Sequence, residues 1–193
     1  MAACGTLTPR DSSRHRRVLH LLAVDAPELR GDRIRLRELT ADDVSHVAEM
    51  NALPEVARWW SPRDPDYIRD KLDRDDLTCW VVQFEDDVVG FVQAYEDRHP
   101  EYRHGGLDLF LHPAVHGRGL GQDVVRTVCR HLLEDRGHHR LVIDPAEANV
   151  RAIRCYEAVG FRRVGVMRSY WWDHVEQRWT NGVLLDLLAG ELR

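Results

Sequence analysis

Three glycines alternate within Gly117–Gly121, between a short apolar segment and a longer amphipathic one. Leu107–Leu111 is typical of a strand, and the apolar residues from Leu120 onward recur with the period of one helix face. Glycine lets consecutive N–H groups turn toward one point, and a helix amino terminus adds partial positive charge there. This unit predicts a phosphate cradle built from main-chain donors. Taken alone it is equally typical of a tight turn, and its spacing differs from the dinucleotide-binding fingerprint.

The predicted elements divide into a hairpin-rich first half and a second half in which strands and helices alternate. The first half contains a strand at Ile34–Leu39, a helix after the capping-box pair Thr40 and Asp43, and strands at Cys79–Phe84 and Val88–Tyr95. The second half contains the glycine loop with its helix, a strand at Leu141–Ile143, a helix at Asn149–Val159 and strands at Phe161–Met167 and Gly182–Leu188. This order predicts one mixed α/β domain over residues 31–193. Residues 1–30 lack a clear period, so we expect a partly mobile extension there.

Charge excludes two classes of protein. The net charge is −5 over 193 residues, and residues 1–24 carry +3, which leaves −8 on the remainder. An acidic body argues against a nucleic-acid groove and suits a cationic substrate. Lys71 is the only lysine and lies outside any glycine-rich loop, which excludes a Walker-type nucleotide site.

The composition predicts a protein of the cytoplasm. No apolar run approaches the roughly 18 residues of a membrane span, and Val18–Val24 is short and lacks a signal-cleavage site. The four cysteines are widely spaced without a CxxC pair, so we expect neither a disulfide framework nor a zinc module. His138 and His139 fall in a predicted polar turn without partners spaced for a metal, and we predict no metal site.

A second motif follows the glycine loop, at Asn149–Phe161. Together the two segments resemble the signatures of the GNAT superfamily of acetyl-CoA-dependent N-acetyltransferases. The resemblance covers residues 33–188 and implies the GNAT fold, with a largely antiparallel front half and a βαβα cofactor-binding back half. The family's loop usually opens with Gln or Arg, whereas this chain has His116. Because backbone amides make most of the phosphate contacts in such a loop, this departure weakens the resemblance only slightly.

Four further segments are similar to aminoglycoside 6′-N-acetyltransferases within that superfamily: Val56–Trp60, Gly90–Tyr95, Gly106–Asp108 and Asp144–Pro145. The implied reaction is direct acetyl transfer from acetyl-CoA to the 6′-amino group of an aminoglycoside antibiotic, which gives resistance. The resemblance also makes a homodimer a reasonable expectation. Two other interpretations stay open: a GNAT enzyme that acetylates a protein amino terminus or another natural amine, and an acyl-CoA-binding module without turnover.

The resemblance implies that acetyl-CoA binds at the glycine loop. The residues expected to hold its pyrophosphate are His116, Gly117, Arg118, Gly119, Leu120, Gly121 and Gln122. Asn149 would hydrogen-bond the pantetheine arm or the adjacent phosphate. A backbone N–H on Leu107–Leu111 would stabilise the negative charge that develops on the thioester oxygen.

Two residues are expected to act on protons. Asp108 would take a proton from the acceptor ammonium, directly or through water, or would chiefly hold that ammonium; a solvated strand residue is the alternative. A carboxylate with a pKa of about 4 is a weak base for an amine, and partial burial would raise that pKa. By the resemblance, Tyr156 would donate a proton to the departing CoA thiolate. Without the resemblance, Tyr156 is typical of a half-buried aromatic residue on a helix.

An acceptor that carries several positive amines on sugar rings requires an acidic pocket with aromatic walls. Asp144 is expected to bind a substrate amine, and Gln93 and Tyr95 to line the same cleft from one strand face. Trp59 and Trp60 would either roof the sugars or pack as a helix end on the core. Weaker acidic candidates, most of them expected to be surface charge, are Asp97, Glu101, Asp173 and Asp186.

Overall fold

The computed structural model describes residues 26–193, in which eight strands form one mixed sheet. In chain order the strands are β1 (Leu29–Arg30), β2 (Ile34–Glu38), β3 (Leu77–Phe84), β4 (Asp87–Asp97), β5 (His104–Leu111), β6 (Arg140–Ile143), β7 (Arg162–Asp173) and β8 (Arg178–Leu188). Their spatial order is β1-β2-β3-β4-β5-β6-β8-β7. Neighbouring strands are antiparallel except β5 and β6, which are parallel. The mixed α/β architecture predicted from the sequence is confirmed.

Five helices cover this sheet: α1 (Val44–Ala52), α2 (Pro54–Ala57), α3 (Pro65–Arg69), α4 (Leu120–Arg130) and α5 (Val150–Val159). A π-helical turn at His131–Asp135 continues α4, and 3₁₀ turns occupy Ala41–Asp43, Asp70–Asp73 and Pro113–Val115. The helices α1 to α3 contribute to one apolar cluster and α4 and α5 to another. The sheet therefore carries helices on both faces.

The central strand β3 shows why both faces are buried. Its side chains alternate between the faces, since successive residues of a strand point in opposite directions. Trp80 and Val82 join the cluster that includes α4 and α5, whereas Cys79 and Val81 join the cluster that includes α1. A strand whose odd-numbered and even-numbered positions are both apolar is typical of a sheet covered on both sides.

The turn before α1 is a capping box, as the sequence predicts. Asp43 accepts a hydrogen bond from the Thr40 backbone N–H at 2.9 Å and two from the Arg37 guanidinium at 2.8 and 2.9 Å. Burial would raise the pKa of Asp43, but the hydrogen bonds from Arg37 and Thr40 outweigh burial and lower the pKa to about 2. This charged pair fixes the start of α1 against β2.

The sheet begins earlier than the strand pattern predicts. Leu29 of β1 pairs with Leu36 of β2, and the Pro27 carbonyl accepts a hydrogen bond from the Trp80 indole at 2.9 Å. The last residues of the predicted extension therefore pack on the sheet, and residues 1–25 lie outside the described part of the chain.

His138 lies in the predicted turn before β6, but its side chain does not face solvent there. Its side chain is fully buried, and Nε2 lies 2.8 Å from Glu96 Oε2. The short segment between α4 and β6 folds inward because Glu96, on β4, gives the imidazole a charged partner below the surface.

Between residues 26 and 193, no group of His, Cys, Asp and Glu side chains is arranged to hold a metal ion. Over the same range, no helix has the length and apolar character that crossing a membrane would require.

Candidate active site

A cleft of about 700 Å³ opens where β5 and β6 diverge. The two strands pair at Gly105 with Leu141 and at Gly106 with Val142, and their ladder ends there. Beyond that point the cleft separates Asp108–Leu111 on one side from Ile143–Ala146 on the other. The sequence-predicted residues on its lining are Trp59, Trp60, Gln93, Asp108, His116, Gly117, Gly119, Leu120, Gly121, Gln122, Asp144, Asn149 and Tyr156.

The cleft joins the two faces of the sheet. Phe110 and Trp60, from the cluster that includes α1, line it together with Leu111 and Tyr156, from the cluster that includes α4 and α5. A ligand that enters from the α4–α5 side can therefore meet a second ligand that enters from the α1–α3 side. This is the arrangement that a two-substrate transfer reaction requires.

The glycine loop has the backbone geometry of an anion site. Gly117 and Gly119 have φ angles of 74° and 80°, and a Cβ placed on either would meet no atom within 4 Å. Gly119 is also the N-cap of α4, so the helix amino terminus faces this open space. Positive φ favours glycine, and unpaired N–H groups at a helix start attract phosphate. The loop thus fits the pyrophosphate of acetyl-CoA.

His116 holds this loop in place as a neutral imidazole. Its Nε2 lies 2.9 Å from the Leu111 carbonyl, and its Nδ1 lies 2.8 Å from Arg151 Nη1. A carbonyl only accepts and a guanidinium only donates, so Nε2 carries the proton and Nδ1 accepts. Burial and then the Arg151 charge lower the pKa of His116. His116 therefore supplies a neutral hydrogen-bonding side chain at the loop opening, where Gln would also be neutral and Arg would be charged.

Asn149 and Cys155 frame the same end of the cleft. The Asn149 side-chain oxygen accepts a hydrogen bond from the Ala152 backbone N–H at 3.2 Å, so this residue caps α5 while it lines the cleft. Burial raises the pKa of the Cys155 thiol to about 11, and Cys155 stays protonated at neutral pH. A thiol that stays protonated is a poor nucleophile.

The other end of the cleft is acidic. Asp108 on β5 stands directly opposite Gln93 on β4, and the Gln93 amide donates to Asp108 Oδ2 at 2.9 Å. Asp144 follows β6 and accepts a hydrogen bond from the Tyr170 hydroxyl. Burial, together with the Asp144 charge, raises the pKa of Asp108 against the hydrogen bond from Gln93. The Asp144 charge therefore acts on Asp108 within the cleft.

Tyr156 reaches the cleft from α5. The residue is 8% exposed, and its ring lies 6.1 Å from the ring of Phe161. Burial raises the pKa of the Tyr156 hydroxyl, so the hydroxyl is protonated and able to donate at neutral pH. Asp108 and Tyr156 thus meet in one cleft from opposite faces of the sheet.

Aromatic rings form the outer wall. The Trp59 ring lies 6.4 Å from Trp171, while Trp60 contacts Phe110 edge to face at 5.1 Å. Both tryptophans line the cleft, where Trp59 pairs with Trp171 and Trp60 also packs on the core. Both follow α2, which ends at Ala57.

Several predicted residues lie elsewhere. Tyr95 is outside the lining and packs over Gly106, where a Cβ would come within 2.1 Å of the ring. The Arg118 side chain turns away to the Phe84 ring at 4.5 Å, which leaves only its backbone at the loop.

The weaker acidic candidates have structural contacts: Asp97 accepts from His99, Asp173 from Val175 and Glu176, and Asp186 from Arg140, while Glu101 is exposed.

The lining residues that were not predicted include Arg151, Tyr170 and Trp171. Arg151 is the second residue of α5, two positions after the predicted cofactor ligand Asn149. Tyr170 follows a bulge at which the register between β7 and β8 shifts after Met167. A period-two strand pattern carries no signal for such a shift, so the direction of Tyr170 could not be read from the sequence.

Comparison with known proteins identifies the class. The sequence pattern of the acetyltransferase (GNAT) family matches residues 44–161, more than half of the chain. The chain belongs to this family and is an acetyltransferase that uses acetyl-CoA.

The relatives include aminoglycoside N(6′)-acetyltransferases type 1 of Klebsiella pneumoniae and Serratia marcescens. Each is 27% identical over 159 residues, which cover 72% of this chain and 78% of the relative. A solved structure of AAC(6′)-Ib with paromomycin and acetyl-CoA gives a TM-score of 0.67 at 23% identity, over 81% of this chain and 94% of that one.

A ribosomal-protein-S5-alanine acetyltransferase from Vibrio fischeri is equally similar in fold. Its TM-score is 0.73 at 15% identity, over 86% of this chain and 99% of that one. The fold is therefore common to enzymes with different acceptors, and the choice of acceptor has to come from the site.

Proposed function

We propose that the protein transfers the acetyl group of acetyl-CoA to the 6′-amino group of an aminoglycoside. The observation that carries this proposal is the acidic end of the cleft, whose lining combines Asp108 and Asp144 with the Trp59–Trp171 pair. Two carboxylates attract an acceptor with several ammonium groups, and tryptophan faces suit the apolar faces of sugar rings. The 27% identity to aminoglycoside acetyltransferases supports the same acceptor class.

In this proposal the cofactor occupies the α4–α5 side. The backbone amides of Gly117–Gln122 receive the pyrophosphate, with the Arg151 cation beside them. Asn149 keeps its amide NH₂ available for the pantetheine arm, because its oxygen is engaged in capping α5. Acetyl-CoA supplies the activated acetyl group.

The Leu109 backbone N–H is our candidate for stabilising the thioester oxygen. The His112 N–H donates to the Val89 carbonyl at 2.8 Å. Antiparallel strands bond through alternate residues, so Asp108 and Phe110 also bond to β4, and Leu109 turns its N–H to the other side. That side is the gap where β6 has diverged, and a donor there faces the place where negative charge develops.

Asp108 acts on the acceptor amine. An ammonium has no free electron pair, so it must lose a proton before its nitrogen attacks the thioester carbon. Burial and Asp144 raise the pKa of Asp108, which makes it a better base than an exposed carboxylate. The same carboxylate holds the ammonium before the transfer.

Tyr156 completes the transfer by donating its hydroxyl proton to the sulfur that leaves the acetyl group. Its raised pKa makes it a weak acid at neutral pH, so donation accompanies the departure of the sulfur. Proton acceptor and proton donor approach the reacting carbonyl from opposite faces of the sheet, which separates their tasks.

The decisive experiment follows thiol release from acetyl-CoA with three matched acceptors and with none. The acceptors are a kanamycin-type aminoglycoside with a 6′-amine, an analogue with a 6′-hydroxyl, and a short peptide. We expect turnover with the first, little with the second, and none with the peptide; proton NMR of the product should place the acetyl group on the 6′-nitrogen. Turnover with the peptide alone would instead support acetylation of protein amino termini. Tight binding of acetyl-CoA without turnover would support an acyl-CoA-binding module.

Resistance would follow from the chemistry. Acetylation converts an ammonium into a neutral amide, which removes one of the charges with which an aminoglycoside binds anionic targets. Expression in a susceptible bacterium should therefore raise the inhibitory concentration of 6′-amino aminoglycosides and leave that of the 6′-hydroxyl analogue unchanged. Equal protection against both compounds would contradict 6′ specificity.

A further inference from the structure

Lys71, the only lysine of the chain, hydrogen-bonds Gln93, which lines the acidic end of the cleft. It is 5% exposed, in the 3₁₀ turn that follows α3. Its Nζ lies 2.7 Å from Gln93 Oε1 and 4.6 Å from the centre of the Tyr67 ring. A buried ammonium is costly, and here its hydrogen bond goes to a neutral amide oxygen. Such a placement indicates a task beyond packing.

The position of Lys71 determines which way the Gln93 amide points. An ammonium only donates, so it accepts no bond from the amide NH₂ and selects the orientation with Oε1 toward Nζ. The NH₂ group is then directed at Asp108 Oδ2, at 2.9 Å. Without Lys71 the amide can reverse, and an oxygen beside Asp108 would favour a protonated carboxyl that donates to it.

We propose that Lys71 is a positioning residue for Asp108: it fixes the Gln93 amide so that a donor, never an acceptor, faces the carboxylate that receives the acceptor's proton. The inference rests on the function proposed for Asp108 and adds a residue that acts through Gln93 without touching substrate. The hydrogen-bonded series Lys71–Gln93–Asp108 crosses from the turn after α3 to β4 and β5.

Other ionisable groups also face these two residues. Those around Asp108 are Asp144 after β6, Tyr95 on β4, Tyr156 on α5 and Tyr170 on β7. Those around Lys71 are Tyr67 on α3, Asp76 before β3 and Cys79 on β3, with Arg63 on the same Tyr67 ring. The test therefore has to separate action through Gln93 from the direct charge of Lys71.

The test measures the ionisation of Asp108 in the full chain without an acceptor. Carbon-13 NMR of the aspartate side-chain carboxyls, assigned with Asp108→Asn, follows its titration. Lys71→Met should raise the pKa of Asp108 by about one unit, and Lys71→Arg, which also only donates, should largely restore it. In a Gln93→Leu background, Lys71→Met should change the titration little. Arg69→Met, which removes an exposed cation from α3, is the matched control and should leave it unchanged.

Turnover provides a second readout. With Lys71→Met, the acid limb of the kcat profile should move to higher pH by about one unit, which is about tenfold in rate on that limb, while the KM for acetyl-CoA stays the same. The inference is overturned if Lys71→Met lowers only the melting temperature, or if its effect on Asp108 persists in full without Gln93. If aminoglycosides give no turnover but the titration depends on Lys71 through Gln93, the proposed function fails and this inference stands.

Discussion

At the scale of single residues, Asp108 combines a cost in stability with a use in chemistry. Its folded-state pKa is raised by burial and by Asp144, so the folded state binds this proton more tightly than the unfolded chain. The contribution of Asp108 to the free energy of unfolding is therefore most favourable below the pKa that this carboxyl has in the unfolded chain. That contribution is lost as the pH rises through the pKa that the carboxyl has in the folded state. A carboxylate that weakens the fold at neutral pH is typical of a functional site.

Asp108→Asn should separate the two effects. Asparagine keeps an oxygen for the Gln93 amide but neither ionises nor accepts a proton. We expect kcat to fall by about 100-fold or more with little change in acetyl-CoA affinity. The variant should also be more stable than the wild type at neutral pH, by roughly 1 kcal/mol, and equally stable at low pH.

Steady-state kinetics and urea unfolding across pH check both parts. An unchanged kcat would remove Asp108 from the mechanism. If the difference in the free energy of unfolding between the two proteins does not grow with pH, ionisation of Asp108 does not destabilise the fold.

Tyr156→Phe removes one hydroxyl and keeps the ring against Phe161. Because the hydroxyl is proposed to act only when the sulfur leaves, the chemical step should slow by about 100-fold while both substrates bind normally. Single-turnover kinetics measure that step. Tyr102→Phe, at a 68% exposed tyrosine, is the matched control. Loss of melting temperature without loss of rate would assign Tyr156 to packing alone.

At the scale of elements, the glycine loop can be tested against a loop of the same geometry. Gly119→Ala strains a backbone with φ of 80° and also fills the space proposed for the pyrophosphate. Gly137→Ala strains a backbone with φ of 66°, equally open and outside the cleft lining. Both should cost about 1 kcal/mol of stability, but only Gly119→Ala should weaken acetyl-CoA binding, by roughly tenfold.

Calorimetric titration with acetyl-CoA and thermal unfolding measure the two quantities. Equal affinities for the two variants would show that the loop does not hold the diphosphate.

Elements with local signals were predictable from the sequence. The hairpin strands, the capping box at Thr40 and Asp43 and the helix that ends at Val159 each depend on neighbouring residues, and the structure contains all of them. The bulge in β7 depends on how that strand meets β8, so the hydrogen bond from Tyr170 to Asp144 had no local sequence signal. Buried polar partners were missed for the same reason: His138 meets Glu96, and Lys71 meets Gln93, far along the chain.

At the scale of the whole molecule, the divergence of β5 and β6 determines what the domain can do. The motifs on either side of the cleft were readable in the sequence, but the opening itself depends on where a parallel ladder stops, at Gly106 and Val142. The family resemblance implied the fold, but the point at which this ladder stops was not predicted. The register between β4 and β5 then places Asp108 opposite Gln93 at the acidic end of the cleft.

A ligand held between both faces should stabilise the entire domain. At a hundredfold excess over its Kd, CoA should contribute about 2.7 kcal/mol and raise the melting temperature by about 5–10 °C. Asp108→Asn should retain this shift, because the carboxylate belongs to the acceptor side. Differential scanning calorimetry measures the melting temperature with and without CoA. If CoA does not raise the melting temperature of the wild type, cofactor binding across the sheet is contradicted.

The central claim is that main-chain donors hold the diphosphate while Asp108 faces the acceptor amine. A crystal structure of the chain with CoA and a 6′-amino aminoglycoside tests it most directly. We predict phosphate oxygens within about 3 Å of the amides of Gly117–Gln122 and the 6′-nitrogen within hydrogen-bonding reach of Asp108, directly or through one water. A diphosphate bound elsewhere, or an acceptor nitrogen remote from Asp108, would contradict the account.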